Sequence, residues 1–329
     1  MSAASVPAQS TPVVVVCGSL NVDTFVRVDR FPTAGETTIA SPNGKALGGK
    51  GANQAVAAAR YLDGTVIFQA TVGADADGDA ALTTLTDYGV DVSAVARAPQ
   101  DAPTGQAFIM NDPDGENIIV VTSGANEYTV PATQDGITHD TTDTAAAVLL
   151  AQGELTPEHS AALPQLAQRL GARFVLNLAP VTTRDPALLA TADPLILNES
   201  EAAEVFSTTS DATAVADAAV AAVDAGVAMS VLITLGAQGA VLVTAEGRTD
   251  IGPVPADNVV DTTGAGDAFC GTLAAALAEG EDLVAAAHLA SAAGSLAVRG
   301  RGAAPSYAGR DEILTLFSDS PWTEEHHQL

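Results

Sequence analysis

Lysine is nearly absent from this chain. Only Lys45 and Lys50 occur in 329 residues, and with arginine the basic total is 13 against 40 acidic residues, a formal charge of −27. Binding a phosphate backbone or an anionic lipid surface needs clustered Lys and Arg, so nucleic acid and anionic membranes are excluded as partners. Any bound anion must be held locally, by backbone N–H groups, a metal ion or a rare cation, and the bulk acidity reads as a solvated surface. Cysteine is scarce too. Cys17 and Cys270 both lie in apolar contexts, do not make a disulfide framework and fit a cytoplasmic chain. No apolar run approaches the roughly 18 residues of a membrane span. Residues 1–12 lack the basic start and apolar core of a signal peptide and read as a disordered lead. The first strand is not followed by GxGxxG, which argues against a nicotinamide dehydrogenase, and GxxxxGK[ST] is missing as well.

What is present is a core. The chain is 47% hydrophobic, and apolar runs alternate with alanine-rich amphipathic stretches. Strands are expected at 13–17, 66–71, 147–151, 173–177, 195–198, 231–234 and 239–243. Helices are expected at 51–61, 77–87, 157–170, 211–225, 265–279, 282–298 and 310–317. Near-continuous apolar strands alternating with helices predict a three-layer α/β fold, a mainly parallel central sheet flanked by helices on both faces. Residues 24–40 and 103–123 break the rhythm as hairpin material, with turns at Pro32–Gly35 and "NDPDG". They predict a small β-sheet lid or dimer surface on a single domain spanning 13–317, followed by a polar tail at 318–329.

Chemistry gathers at the expected strand ends, where open α/β sheets bind ligands. "GSLNVD" (18–23) offers the Asn21 amide and the Asp23 carboxylate to a polyol, unless it is only a self-capping turn. "GGKGANQAVAAARYL" (48–62) places three glycines, Lys50 and Asn53 where a backbone can approach a small ligand. Glu154 follows a buried strand and can serve a ligand or simply start a helix. "LILNESEAAEVF" puts Asn198 and Glu201 at a strand-to-helix junction. That pair suits a hydrated Mg²⁺ shell and equally a capping box. "LITLGAQGA" carries Thr234 and Gly236 at another strand end. The strongest stretch is "DTTGAGDAF". Gly264, Ala265, Gly266 and Asp267 set successive N–H groups at a helix N-terminus, an anion hole with a carboxylate beside it. A carboxylate repels phosphate, so beyond capping the helix it makes sense as a base for a neutral hydroxyl that attacks a phosphoryl group.

In this order, "GSLNVD", "FPTAGET", "GGKGANQAVAAAR", "SGAN", "NESE", "LITLGAQG" and "DTTGAGDAF" resemble the PfkB-type carbohydrate kinases, in their ribokinase branch, over residues 13 to 317. The resemblance implies a ribokinase-like fold with a β lid that often forms a homodimer contact. It also implies ATP-dependent phosphorylation of a sugar hydroxyl, with D-ribose as the first expectation. Asn21, Asp23, Gly49, Lys50, Asn53 and Glu154 match sugar-binding positions. Asp267 matches the general base and Gly264–Gly266 the anion hole. Asn198, Thr234, Gly236 and Gly239 match the nucleotide side, Ser291 lies beside the adenine, and Glu201 belongs to a motif associated with Mg²⁺ and phosphate. Asp261, Thr263, Ala297, Gly300, Gly302 and Ser306 match the site of an activating monovalent cation, K⁺, with glycine at 300 where relatives often carry a larger residue. A ketohexose, a deoxy-sugar acid or a nucleoside is the alternative substrate, and a non-catalytic sugar sensor the alternative role.

Overall fold

The computed structural model describes residues 11–99, 101–132 and 147–318. The expected lead and tail fall almost wholly outside them. Strands in chain order are β1 (Val13–Cys17), β2 (Asn21–Arg27), β3 (Ser41–Gly48), β4 (Thr65–Gln69), β5 (Thr71–Val72), β6 (Ala96–Arg97), β7 (Gly105–Asn111), β8 (Asn117–Thr122), β9 (Ala147–Gln152), β10 (Arg173–Asn177), β11 (Leu195–Asn198), β12 (Val231–Thr234), β13 (Ala240–Thr244) and β14 (Gly247–Ile251). Helices are α1 (Lys50–Tyr61), α2 (Ala76–Asp87), α3 (Pro157–Ser160), α4 (Leu163–Leu170), α5 (Pro186–Thr191), α6 (Glu199–Phe206), α7 (Ala212–Asp224), α8 (Ala265–Ala278), α9 (Leu283–Ala297) and α10 (Arg310–Ser318).

Eight strands form the central sheet in the order β14-β13-β12-β11-β10-β9-β1-β4. From β12 to β4 every pairing is parallel, and β13 and β14 add an antiparallel edge. The parallel strands are buried on both faces, which is why they read as continuous apolar runs. Alternate residues of β1 serve opposite cores. Val14 and Val16 pack with the alanines of α1, α8 and α9, whereas Val13, Val15 and Cys17 pack with Leu163, Leu166, Leu188 and Val215. From β1 the chain first builds outward to β4, then returns to the other side of β1 as β9. This reversal makes a topological switch point, and the crevice beyond the carboxyl ends of β1 and β9 is the natural ligand site.

The second sheet, β3-β2-β7-β8, stands apart from the first. Its first hairpin differs from the one expected within 24–40. β2 pairs with β3 across a loop at 28–40, because Pro32 and Gly35 turn the loop but flank no strand. Asn21 and Asp23 therefore sit within β2, two residues apart on one face of this sheet, and not in a loop at the end of β1. The helix expected over 157–170 divides into α3 and α4. Pro164 lies in the first turn of α4, where its missing N–H is tolerated but an uninterrupted helix is not.

One close approach sets the geometry of the site. A Cβ on Gly271 of α8 would lie 2.4 Å from the carbonyl oxygen of Gln54 and 2.6 Å from Cβ of Ala57. Glycine there lets α1 lie against α8. Asp267, one turn before Gly271 on the same helix face, thereby meets the side chains of Asn53 and Gln54.

Candidate active site

The ends of β10, β11 and β12 converge on one cavity edge, at Asn177, Asn198 and Thr234. Lys50, Asn177, Asn198, Glu201, Thr234, Gly264, Gly266, Asp267 and Cys270 line a common cavity. Gly49 opens α1 at φ 84°, and a Cβ there would lie 2.8 Å from the backbone nitrogen of Asn21. Only glycine satisfies both the left-handed backbone and that approach. The turn holds Lys50 at the first position of α1, against the β1–β2 connection.

Asp267 is 7% exposed. Its Oδ2 accepts a hydrogen bond from Asn53 Nδ2 at 3.0 Å and its Oδ1 one from Gln54 Nε2 at 2.9 Å. Burial pushes its pKa up, and the charge of Lys50 with the two amide bonds pulls it only part of the way back. Lys50 loses hydration on burial, yet Asp267, Glu154 and Glu201 around it raise its pKa, so it remains an ammonium. Glu154 Oε2 accepts from the Ser19 hydroxyl and, at 2.9 Å, from the backbone N–H of Lys50. Burial, then the charge of Glu154, push Asp23 up to about 6. Asn21 Oδ1 accepts from Asn126 Nδ2 at 2.8 Å. Asn53 Oδ1 is buried with no hydrogen-bond partner among the described residues, an acceptor beside the carboxylate that a ligand hydroxyl can satisfy.

α8 starts at Gly264, in the left-handed region at φ 77°. No side chain caps it, so Asp267 is not the N-cap and its carboxylate is turned inward to α1. Gly266 lines the cavity, and a Cβ there would meet nothing beyond its own stretch of helix within 4 Å. Space for a ligand, not packing, is what glycine preserves at this position. The Ala265 N–H donates to the Thr262 carbonyl at 3.3 Å, which leaves the neighbouring N–H groups of the helix start to a ligand. A buried carboxylate beside them can take a proton from a hydroxyl while an anionic group is held against those amides.

A model of the pfkB family of carbohydrate kinases matches residues 12–308. The chain belongs to this family. It is similar to the ribokinase of Arabidopsis thaliana, 34% identical over 319 residues that cover 96% of this chain and 83% of the relative. It is also similar to the Haemophilus influenzae ribokinase, 34% identical with 92% of this chain and 97% of the relative covered. Among solved structures, Arabidopsis thaliana ribokinase complexed with ribose and ATP superposes with a TM-score of 0.84 at 33% identity, covering 95% of this chain and all of that one.

In this pfkB-family kinase Asn198 and Glu201 form the capping box of α6: Glu201 N–H donates to Asn198 Oδ1 and Asn198 N–H to Glu201 Oε2, both at 2.8 Å. Burial raises the pKa of Glu201 despite that bond and the charge of Lys50, and both side chains still face the cavity. Gly236 and Gly239 bound a short turn after β12, past Thr234. The Ser291 hydroxyl donates to the Ala287 carbonyl of its own helix at 2.9 Å, and Ser291 does not line this cavity. Asp261 accepts from the N–H of Thr263 and of Gly302, each at 2.9 Å. Burial opposes its ionisation, but these bonds prevail and hold its carboxyl below the usual range. Gly300 packs on Ser306, where a Cβ would come within 2.7 Å of the serine Cβ, and its N–H bonds to the Ala297 carbonyl at 3.2 Å. The tight contact with Ser306 explains the glycine. Among the described residues no group of three or more His, Cys, Asp or Glu could hold a metal ion; the expected cation position offers one carboxylate and backbone carbonyls.

Sequence reasoning missed Ser19, Gln54, Asn126, Gln152 and Asn177. Ser19, Gln54 and Asn126 lie inside the GSLNVD, GGKGANQA and SGAN motifs, but a buried polar group acting on another side chain has no sequence signature separate from its neighbours.

Proposed function

We propose that the protein transfers the γ-phosphoryl group of ATP to the primary hydroxyl of D-ribose. The observation that carries this is the buried Asp267 carboxylate facing Asn53 beside the α8 start at Gly264–Gly266, which no side chain caps. The likeness over nearly the whole chain to a ribokinase that binds ribose and ATP supports the choice of substrates. Asp267 accepts the proton as the hydroxyl oxygen attacks, and the N–H groups of the α8 start stabilise the phosphoryl oxygens. Asn21, Asp23, Gly49, Lys50, Asn53 and Glu154 hold the remaining sugar hydroxyls. Asn126 and Ser19 fix the orientation of Asn21 and Glu154. Asn198, Thr234, Gly236, Gly239 and Ser291 serve the nucleotide.

The oxygen donors of Asn198 and Glu201 at the cavity rim suit a hydrated Mg²⁺, which when bound neutralises phosphate charge. Asp261, Thr263 and Ser306 with the carbonyls of Ala297, Gly300 and Gly302 are hard oxygen donors of the kind that hold K⁺. The outer sheet supports a homodimer. Its edge strand β8 exposes Ile119, Val120 and Val121 to 52–57%, an unpaired apolar edge that a second copy covers; sedimentation velocity on the purified chain tests this. No helix among the described residues is long and apolar enough to cross a membrane, and use of ATP with two buried free thiols supports a cytoplasmic location.

The test is ADP release across a panel of ribose, ketohexoses, deoxy-sugar acids and nucleosides, with and without K⁺. A strong preference for a hexose or nucleoside over ribose overturns the substrate, and ATP use unaffected by any acceptor overturns the reaction. Gly266→Val sharpens it. The added methyls enter open space, so the melting temperature stays near that of the wild type. A displacement of about 1 Å at the phosphoryl group costs on the order of 100-fold in kcat/KM for ATP. An unimpaired Gly266→Val enzyme would remove the N–H groups of this turn from the mechanism.

A further inference from the structure

Beneath Asp267 lies a chain of buried amides that the reaction just described does not use. Gln54 is 0% exposed, Gln152 1% and Asn177 8%. Asn177 Nδ2 donates to the Ile196 carbonyl at 3.4 Å, and a carbonyl can only accept. Asn177 Oδ1 is thereby turned to Gln54, whose Nε2 donates to it at 3.0 Å. The second N–H of the same Nε2 reaches Asp267 Oδ1 at 2.9 Å. Gln54 Oε1, on the opposite side, accepts from Gln152 Nε2 at 2.8 Å. Turning the Gln54 amide over would set its oxygen against two acceptors, Asn177 Oδ1 and Asp267 Oδ1, and its nitrogen against a donor. In a dry interior each such mismatch leaves a polar group unpaired. One orientation of Gln54 satisfies all three partners, Asn177, Asp267 and Gln152.

We propose that Gln54, held in orientation by Gln152 and Asn177, is a positioning residue that locks Oδ1 of Asp267 and reserves Oδ2 for the proton of the acceptor hydroxyl. The assignment rests on Asp267 being the base. Oδ2 is the atom beside Asn53, whose Oδ1 is buried without a partner, so the side of the carboxylate that Gln54 leaves open is the side where a hydroxyl can be received. The approach of α1 to α8 at Gly271 is what brings the amide within reach.

The donor also favours the ionised carboxylate. The other charged or titratable groups acting there are Lys50 on α1, Glu154 after β9, Glu201 on α6, Cys270 on α8 and Tyr307 after α9. All five are retained when only Gln54 or Gln152 is changed, so a shift of the acid limb reports the amide.

The test compares wild type, Gln54→Met, Gln152→Met and Asp267→Asn, following the pH dependence of kcat, KM for ribose and the melting temperature. Methionine keeps the length and bulk of glutamine without its donors. Gln54→Met is expected to lower kcat by roughly 10- to 100-fold, leave KM for ribose within about threefold and move the acid limb of kcat to higher pH by about one unit. Gln152→Met, which touches no group proposed to contact substrate, is expected to show the same signs at smaller size, and it stands in for Gln54→Met should that variant not fold. A fall in kcat with an unmoved acid limb marks general damage to packing and overturns the proposal. So does wild-type behaviour in both methionine variants while Asp267→Asn is inactive, a result that leaves the base assignment standing. Near-normal turnover in Asp267→Asn overturns the base assignment and this inference with it.

Discussion

Asp267→Asn is expected to abolish nearly all turnover while the protein folds as before. The carboxylate receives Gln54 on Oδ1 and Asn53 on Oδ2. An amide in its place keeps an oxygen toward Gln54, whose orientation is set from behind by Gln152 and Asn177. Its nitrogen then faces Asn53, and Asn53 turns over to offer the Oδ1 that has no partner in the wild type. The bonds to residue 267 close again at the cost of the free Asn53 acceptor, and a buried group whose ionisation burial opposes is replaced by a neutral one. The melting temperature should hold or rise. Catalysis has no such repair, because an amide cannot accept the hydroxyl proton. General-base removal of this kind costs roughly 10²–10⁴-fold in kcat, with sugar affinity, which loses only the Asn53 acceptor, changed far less. Coupled measurement of ADP release beside calorimetric ribose titration separates the two. Turnover within tenfold of wild type would sink the assignment of Asp267 as base.

Local patterns carried much of this architecture. Buried parallel strands such as Val13–Cys17 and Val231–Thr234 are apolar throughout because both faces are covered, and that property is local to the sequence. The glycine-rich start of α8 is legible for the same reason, since backbone conformation and a helix terminus depend on few neighbouring residues. The β2–β3 pairing was not legible. Ser41–Gly48 is largely exposed and polar, and it becomes a strand only through its partner across a loop. Pro164 breaks the helix within 157–170, where the apolar spacing alone favours continuity. At the site, Asp267, Lys50, Glu154 and Asn53 could be named as residues, but their grouping depends on α1 lying against α8 at Gly271. Gln54, Gln152 and Asn177 depend on it further. Their role is a chain of donors and acceptors drawn from α1, β9 and β10, and no spacing along the chain encodes it.

Asp23→Asn should trade sugar affinity for stability, and the trade should depend on pH. The Asp23 carboxyl is pushed up to about 6, first by burial and then by the nearby Glu154. Unfolded, it titrates near 3.9. The folded protein therefore binds the extra proton between these values, and the resulting stability is fully present below about pH 4 and lost as the pH rises through about 6. By pH 8 the ionised side chain costs the sugar-free protein up to about 3 kcal/mol, two pKa units at 1.36 kcal/mol each. Asparagine carries no such penalty. The variant should melt higher than wild type at pH 8, with the difference shrinking to nothing near pH 4. Ribose binding should weaken on the order of 10- to 100-fold, the loss of hydrogen bonds to a charged acceptor. Sugar hydroxyls that donate to the carboxylate also relieve part of its burial cost, so ribose should raise the wild-type melting temperature at pH 8 more than it raises that of the variant. A stability difference that is the same at pH 4 and pH 8 would refute the buried-charge account. Undiminished ribose affinity would take Asp23 out of the sugar site, leaving its burial against Gly48 at the end of β3 as packing alone.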